Sequence, residues 1–297
     1  MFLPLRSKNP PERFPWVNCV LILINIAVFA AVNRGLPISD EVAKEFGLSY
    51  NNVTPITVMA SAFLHGDIFH IIGNMWFLAV VGLAVEGRMG WWKYILLYFL
   101  AGFAGDLLHL AIFGVAHPDI PSIGASGSVM GVMGASLYMF PHSKVQTFIT
   151  WYYRIGVFDI PMWGIGAFYI FWDVVGAALL GSLSGTANLA HLGGAGAGFL
   201  IALAFRTSRD DEFVSEAKAT LAEGGDYSML NATQLKEMGN HQPDNSDITL
   251  AAISRIIRDN YKLDPDLLAR FRKQLPSILH NPKQVRSAGW ILSQIGD

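Results

Sequence analysis

Residues 124–141 read GASGSVMGVMGASLYMFP. Gly124-Ala125-Ser126-Gly127 opens an apolar run that Pro141 stops, because proline lacks an amide hydrogen and clashes with a continuing helix. Ser126 to Phe140 is 15 residues, about 22 Å of helix at 1.5 Å per residue. The hydrocarbon core of a bilayer is about 30 Å thick. A helix of that length seated at the inner boundary leaves its serine roughly 8 Å beneath the outer one. The preceding Pro121-Ser122-Ile123-Gly124 then becomes irregular backbone at membrane depth, tolerated only inside protein or against a water-filled cavity. The stretch predicts a membrane-embedded bundle with a wet cavity at Ser126.

Composition supports the membrane setting. Of 297 residues, 52% are hydrophobic and only 15% charged, with a mean hydropathy of +0.38; soluble domains carry about 25% charged residues. The charge gathers after residue 206, which separates a membrane domain, 1–206, from a polar cytoplasmic tail, 207–297. The tail is slightly acidic, which argues against nucleic acid as a partner. Cys19 is the one cysteine, so no internal disulfide or cysteine metal cluster forms. Arg6, Lys8 and Arg13 precede an apolar run too long for a signal-peptide core, and that run reads as a retained span.

Six apolar stretches reach or approach spanning length, at about 16–33, 67–85, 91–114, 125–140, 162–182 and 187–205. In a six-span arrangement Arg6, Lys8, Arg13, Arg88, Lys93, Lys144, Arg154 and Arg206 share one side, and only Arg34 and Lys44 lie on the other. The positive-inside bias places both termini in the cytoplasm, and the expected membrane is a bacterial cytoplasmic (inner) membrane. Residues 34–66 become an external loop. The expected fold class is an all-α polytopic bundle of six transmembrane helices with a soluble helical tail. Within the tail, Ser246, Asp264-Pro265 and Asn281-Pro282 read as helix starts.

The orientation brings four polar side chains to one depth. His70 and Asn74 fall near the outer end of the second span, Ser126 at that of the fourth, and His191 one turn into the sixth. A serine hydroxyl becomes a useful nucleophile when a base takes its proton and the oxyanion is stabilised. His191 supplies a base. His70 and Asn74, four residues apart on one helical face, supply hydrogen-bond donors. Gly127, Gly131 and Gly134 on one span, with Gly194 and Gly198 on the other, allow the two helices to approach closely. The plainer reading makes Gly-Ala-Ser-Gly a packing surface and the histidines interfacial. The shared depth of four residues from three spans favours chemistry.

Other polar residues have bland expectations. His65 reads as interfacial or structural, and Glu86 with Arg88 as an ordinary interface pair. Asp106 and His109 read as facing the aqueous mouth. No Asp or Glu has an obvious position beside His191, so a Ser126/His191 dyad is expected, with Asp173 and Asp106 not excluded by spacing as distant partners.

These residues in this order resemble the rhomboid family of intramembrane serine proteases. The pieces are Phe63-Leu64-His65-Gly66-Asp67, His70-x-x-x-Asn74, Val85-Glu86 before Gly90, Gly124-Ala125-Ser126-Gly127, and Ala190-His191 followed by Gly194 and Gly198. The resemblance covers roughly 14–206. It implies a six-helix bundle open to the extracytoplasmic side and hydrolysis of a peptide bond within or beside a substrate's transmembrane helix. Ser126 would be the nucleophile and His191 the base and acid. His70, Asn74 and the Ser126 amide would form the oxyanion hole. The implied partners are single-span membrane proteins and the lipid bilayer; no cofactor and no metal are implied. One departure is Met130, where many members carry an aromatic residue beneath the histidine. An inactive relative that binds transmembrane helices is the alternative; a proton-coupled transporter built on Asp106, His109 and Asp173 lacks the expected inverted repeat.

Overall fold

The computed structural model describes the chain except residues 1, 8–10, 12, 152–153, 181–186, 211–216, 218–219, 222–225, 260, 262 and 297. Two compact units emerge, Met1–Thr207 and Ser208–Asp297. The first contains strand β1 (Phe2–Ser7), helices α1 (Trp16–Asn33), α2 (Asp40–Phe46), α3 (Pro55–Ser61), α4 (Ile68–Met89), α5 (Trp91–Gly114) and α6 (Ser126–Met139). Strands β2 (Lys144–Trp151) and β3 (Arg154–Pro161) and helices α7 (Met162–Leu179) and α8 (Asn188–Ala204) follow among the described residues. Helices α1, α4, α5 and α7 are long and apolar enough to cross a membrane. The sequence leads to an expectation of six such spans. Helices α6, with 14 residues, and α8, with 17, fall below that length.

The first unit buries paired polar side chains within an apolar core and turns further apolar side chains outward. Helix α1 buries Asn18, Asn25 and Asn33 alongside Leu21 and Phe29, and exposes Val20, Leu23, Ile24 and Ile26. Each asparagine donates to a carbonyl: Asn18 to Leu78 at 3.1 Å, Asn25 to Leu21 at 2.8 Å and Asn33 to His65 at 3.0 Å. Amides paired inside and hydrocarbon outside fit a lipid solvent. Four of its helices are long and apolar enough to cross such a solvent.

Glu86 departs from the bland expectation. Helix α1 begins after Pro15 without a side-chain cap of its own. The buried Glu86 carboxylate supplies the cap from α4, accepting from the Val17 amide at 3.0 Å and the Asn18 amide at 2.6 Å. A carboxylate at a helix N-terminus answers both the unpaired amides and the helix dipole. Tyr94 Oη donates to Asn18 Oδ1 at 2.5 Å, which ties α5 to the same junction. Glu86 is therefore a structural keystone between three helices.

The all-α expectation needs one amendment. An antiparallel sheet in the order β1-β2-β3 lies in the first unit. The sequence Lys144-Val145-Gln146-Thr147-Phe148-Ile149 alternates, and it buries Val145 and Thr147 while Lys144 is exposed. β-branched and aromatic residues at period two favour a half-buried strand. Trp76 Nε1 donates to the Pro4 carbonyl at 2.6 Å, which fastens β1 to α4.

Glycines bring α5, α6 and α8 into backbone contact. A Cβ on Gly194 would fall on the Gly127 carbonyl, and one on Gly198 would fall on that of Gly131. A Cβ on Gly105 of α5 would likewise meet the Ala190 carbonyl of α8. Small residues permit this approach where helix packing rests on van der Waals contact. The starts of α6 and α8 are thereby held side by side.

The second unit is helical with its own core. Among the described residues its helices include α9 (Ala232–His241), α10 (Ser246–Arg258), α11 (Pro265–Leu279) and α12 (Val285–Ile295), which enclose Leu235, Ile253, Phe271 and Ile291. Asp264 caps α11 as its sequence indicates. Asn245, one residue before the expected Ser246, caps α10 through the Asp247 and Ile248 amides. Asn281 instead forms a local turn by accepting from Lys283, and α12 begins three residues later than its proline signal.

Candidate active site

Each of the four expected site residues falls in the first or second turn of its helix. Asp67 caps α4 by accepting from the Phe69 amide at 2.7 Å and the His70 amide at 3.0 Å. His70 is the third residue of that helix and Asn74 lies one turn further on. Ser126 is the first residue of α6, after Ala125, which gives no side-chain cap. His191 is the fourth residue of α8. All four line one cavity of about 660 Å³, together with Asp67, His109, Phe113 and Asn188 among others. The four residues thus converge, although they come from three helices separated by tens of residues.

The donors are set by local bonding. The Gly66 amide donates to His70 Nδ1 at 3.4 Å, so a neutral His70 carries its proton on Nε2. Asn74 is 7% exposed, and its Nδ2 has no hydrogen-bond partner. A buried amide donor left open is costly, and one at a cavity wall is a donor available to a ligand oxygen. The uncapped start of α6 adds backbone amides and the positive end of a helix dipole at Ser126.

Gly124 closes this wall. Its φ of +123° lies in a region that side chains rarely adopt. A Cβ there would stand 2.8 Å from both Cε1 and Nε2 of His70 and 3.9 Å from Asn74 Nδ2. The glycine lets the chain ahead of Ser126 pass directly over the two donors.

The irregular backbone before the serine is satisfied by protein. Ser122 and Leu48 exchange both backbone hydrogen bonds, at 3.0 and 2.8 Å, and the Gly124 amide donates to the Ser61 carbonyl at 2.8 Å. The Asn51 amide donates to Pro118, and its side chain donates to Asp119 at 2.9 Å. The 34–66 segment is therefore a scaffold. Its helices α2 and α3 are capped by Ser39 and by a Thr54/Thr57 box, and it holds the serine loop in place.

On the far side, His191 Nδ1 lies 2.8 Å from Asp173 Oδ1 of α7. The sequence favours a dyad and leaves Asp173 open as a distant partner, since 18 residues of chain between the pair carry no local signal. The bond leaves Nε2 of a neutral His191 unprotonated. His65 is fully buried behind His70, with ring centroids 5.1 Å apart in an edge arrangement. Burial, and secondarily the neighbouring His70, push its pKa down to about 4, against a raising effect from the Phe63 carbonyl. Full burial fits the structural expectation for His65 and not the interfacial one. His109, read as facing the mouth, is 8% exposed, lines the cavity and stacks on Phe113 at 4.9 Å. Met130 is buried in the core of the unit.

Comparison with known proteins identifies the family of the first unit. Residues 53–208 match the Rhomboid domain. The chain is 33% identical to the mitochondrial Rhomboid protein 1 of Saccharomyces cerevisiae over 187 residues, 61% of this chain and 50% of that protein. It is 34% identical to RHOMBOID-like protein 1 of Arabidopsis thaliana over 142 residues, 48% of this chain and 32% of that protein. Rhomboid-like protease 3 of Toxoplasma gondii is 27% identical over 123 residues, 40% of this chain and 45% of that protein. The chain thus spans half or less of the length of these relatives.

Proposed function

The chain belongs to the rhomboid family, and on that footing we propose that it is an intramembrane serine endopeptidase. Its substrates are single-span membrane proteins, cut within or next to the transmembrane helix near the extracytoplasmic face. The observation that carries the reading is the meeting of Ser126, His191, His70 and Asn74 on one cavity. In this reading all six apolar helices, α6 and α8 included, form the bundle, with both termini on the cytoplasmic side. The choice of a bacterial membrane is not carried forward, since the yeast relative is a mitochondrial protein.

The chemistry follows from the donors and acceptors. Ser126 Oγ attacks the scissile carbonyl carbon while His191 Nε2 takes its proton. The resulting oxyanion accepts hydrogen bonds from His70 Nε2, Asn74 Nδ2 and the Ser126 backbone amide. Each donor of this kind is worth about 10²–10³-fold in rate. Collapse breaks the C–N bond, and His191 returns the proton to the leaving amine. Water admitted by the cavity then hydrolyses the acyl-serine by the same base. No cofactor or metal enters the sequence of steps.

A fluorophosphonate probe tests the nucleophile. Labelling of the wild-type protein and none of Ser126→Ala is expected. Absence of labelling in both, with intact folding, would favour an inactive relative that binds transmembrane helices.

A further inference from the structure

We propose that Asp173 is a positioning residue for His191, so that a third side chain from α7 completes the site; this rests on the protease reading of Ser126 and His191. The carboxylate oxygen stands 2.8 Å from Nδ1, and the two side chains are only 11% and 18% exposed. An ionised carboxylate accepts and cannot donate. The hydrogen in this bond therefore belongs to Nδ1, and Nε2 keeps the lone pair that the proposed reaction needs. Without such an acceptor a neutral imidazole has two tautomers, one of which offers no base to Ser126.

The contact is built into the helix packing. Asp173 and Gly176 are three residues apart on α7, and Asn188 and His191 are three apart on α8, so each pair shares a helical face. The second point of contact is steric: a Cβ on Gly176 would stand 2.8 Å from the Asn188 side-chain carbon and closer to its amide nitrogen. Two contacts in register place the carboxylate at the level of the imidazole. A carboxylate within an apolar span is costly, and the bond to His191 gives it a partner and a role.

Cleavage kinetics of full-length protein in proteoliposomes, with a model single-span substrate, test the assignment. Asp173→Asn is expected to lower kcat by roughly 10²- to 10⁴-fold, with KM and thermal unfolding close to wild type. Asp173→Glu, which keeps the carboxylate, should retain more activity than the asparagine variant. Wild-type kcat in Asp173→Asn, with Ser126→Ala inactive, overturns the role of Asp173 and leaves the protease reading standing. Cleavage that survives Ser126→Ala overturns the protease reading itself. If the asparagine variant does not fold, ¹⁵N spectra of wild-type histidines decide, with the His191 signals identified by their loss in His191→Gln. A protonated Nδ1 and bare Nε2 are expected, and the opposite tautomer overturns the proposal.

Discussion

Gly124 and His70 are in such close register that a Cβ on the glycine would stand 2.8 Å from the imidazole Nε2. The serine loop and the two side chains proposed as oxyanion donors are therefore one assembly. Gly124→Ala forces a side chain into a φ of +123° and drives His70 from its place. We expect kcat to fall roughly 10²-fold, the scale of one lost oxyanion donor, with Ser126 still in its helix. Steady-state cleavage by the alanine variant at wild-type rates would show that Gly124 does not constrain His70.

Glu86 caps α1 from another helix, so its removal acts on stability. Glu86→Ala leaves the Val17 and Asn18 amides without their acceptor, at about 1–3 kcal/mol for each unsatisfied group. Glu86→Gln keeps an acceptor oxygen and should lose less. Thermal unfolding in detergent micelles orders the three proteins, and an alanine variant as stable as wild type would refute the cap.

Glycines on α8 separate packing from flexibility. Gly194→Ala and Gly198→Ala each press a methyl onto a backbone carbonyl of α6, with an overpacking cost of about 1–3 kcal/mol and lost activity. Gly196 has open space at the same position, so Gly196→Ala should be neutral or slightly stabilising. Equal effects at all three sites would contradict the backbone contact.

His65 makes the fold sensitive to acid. Its pKa is about 4 when folded, pushed down by burial, against about 6.5 when unfolded. Between these values the unfolded chain binds the extra proton, so stability is full above about pH 6.5 and falls as the pH drops towards 4. The loss is on the order of 3 kcal/mol. Unfolding midpoints from pH 7 to 4.5 should fall in wild type and fall less in His65→Asn; identical slopes would remove His65 as the cause.

Much of the bundle and the four site residues is legible in the sequence, because apolar length, proline stops and charge bias act locally. The positions of Ser126, His70, Asn74 and His191 near helix starts follow from those boundaries alone. What escapes is long-range pairing. Asp173 reaches His191, and Glu86 reaches Val17, through packing that no spacing encodes. The role of the 34–66 segment is hidden for the same reason, since Leu48 meets Ser122 across more than seventy residues. The sheet was legible in principle: Val145, Thr147 and Ile149 alternate, but the stretch reads as a simple connection when helices alone are sought.

In the proposed function, Ser126 cuts a transmembrane substrate from within the membrane. Wild-type protein and Ser126→Ala, reconstituted with a single-span substrate and analysed by mass spectrometry of the products, test it most directly. Wild type is expected to make one cut near the extracytoplasmic end of the substrate helix, and the alanine variant none. Cleavage that persists in Ser126→Ala, or that falls in the substrate's soluble domain, would contradict it.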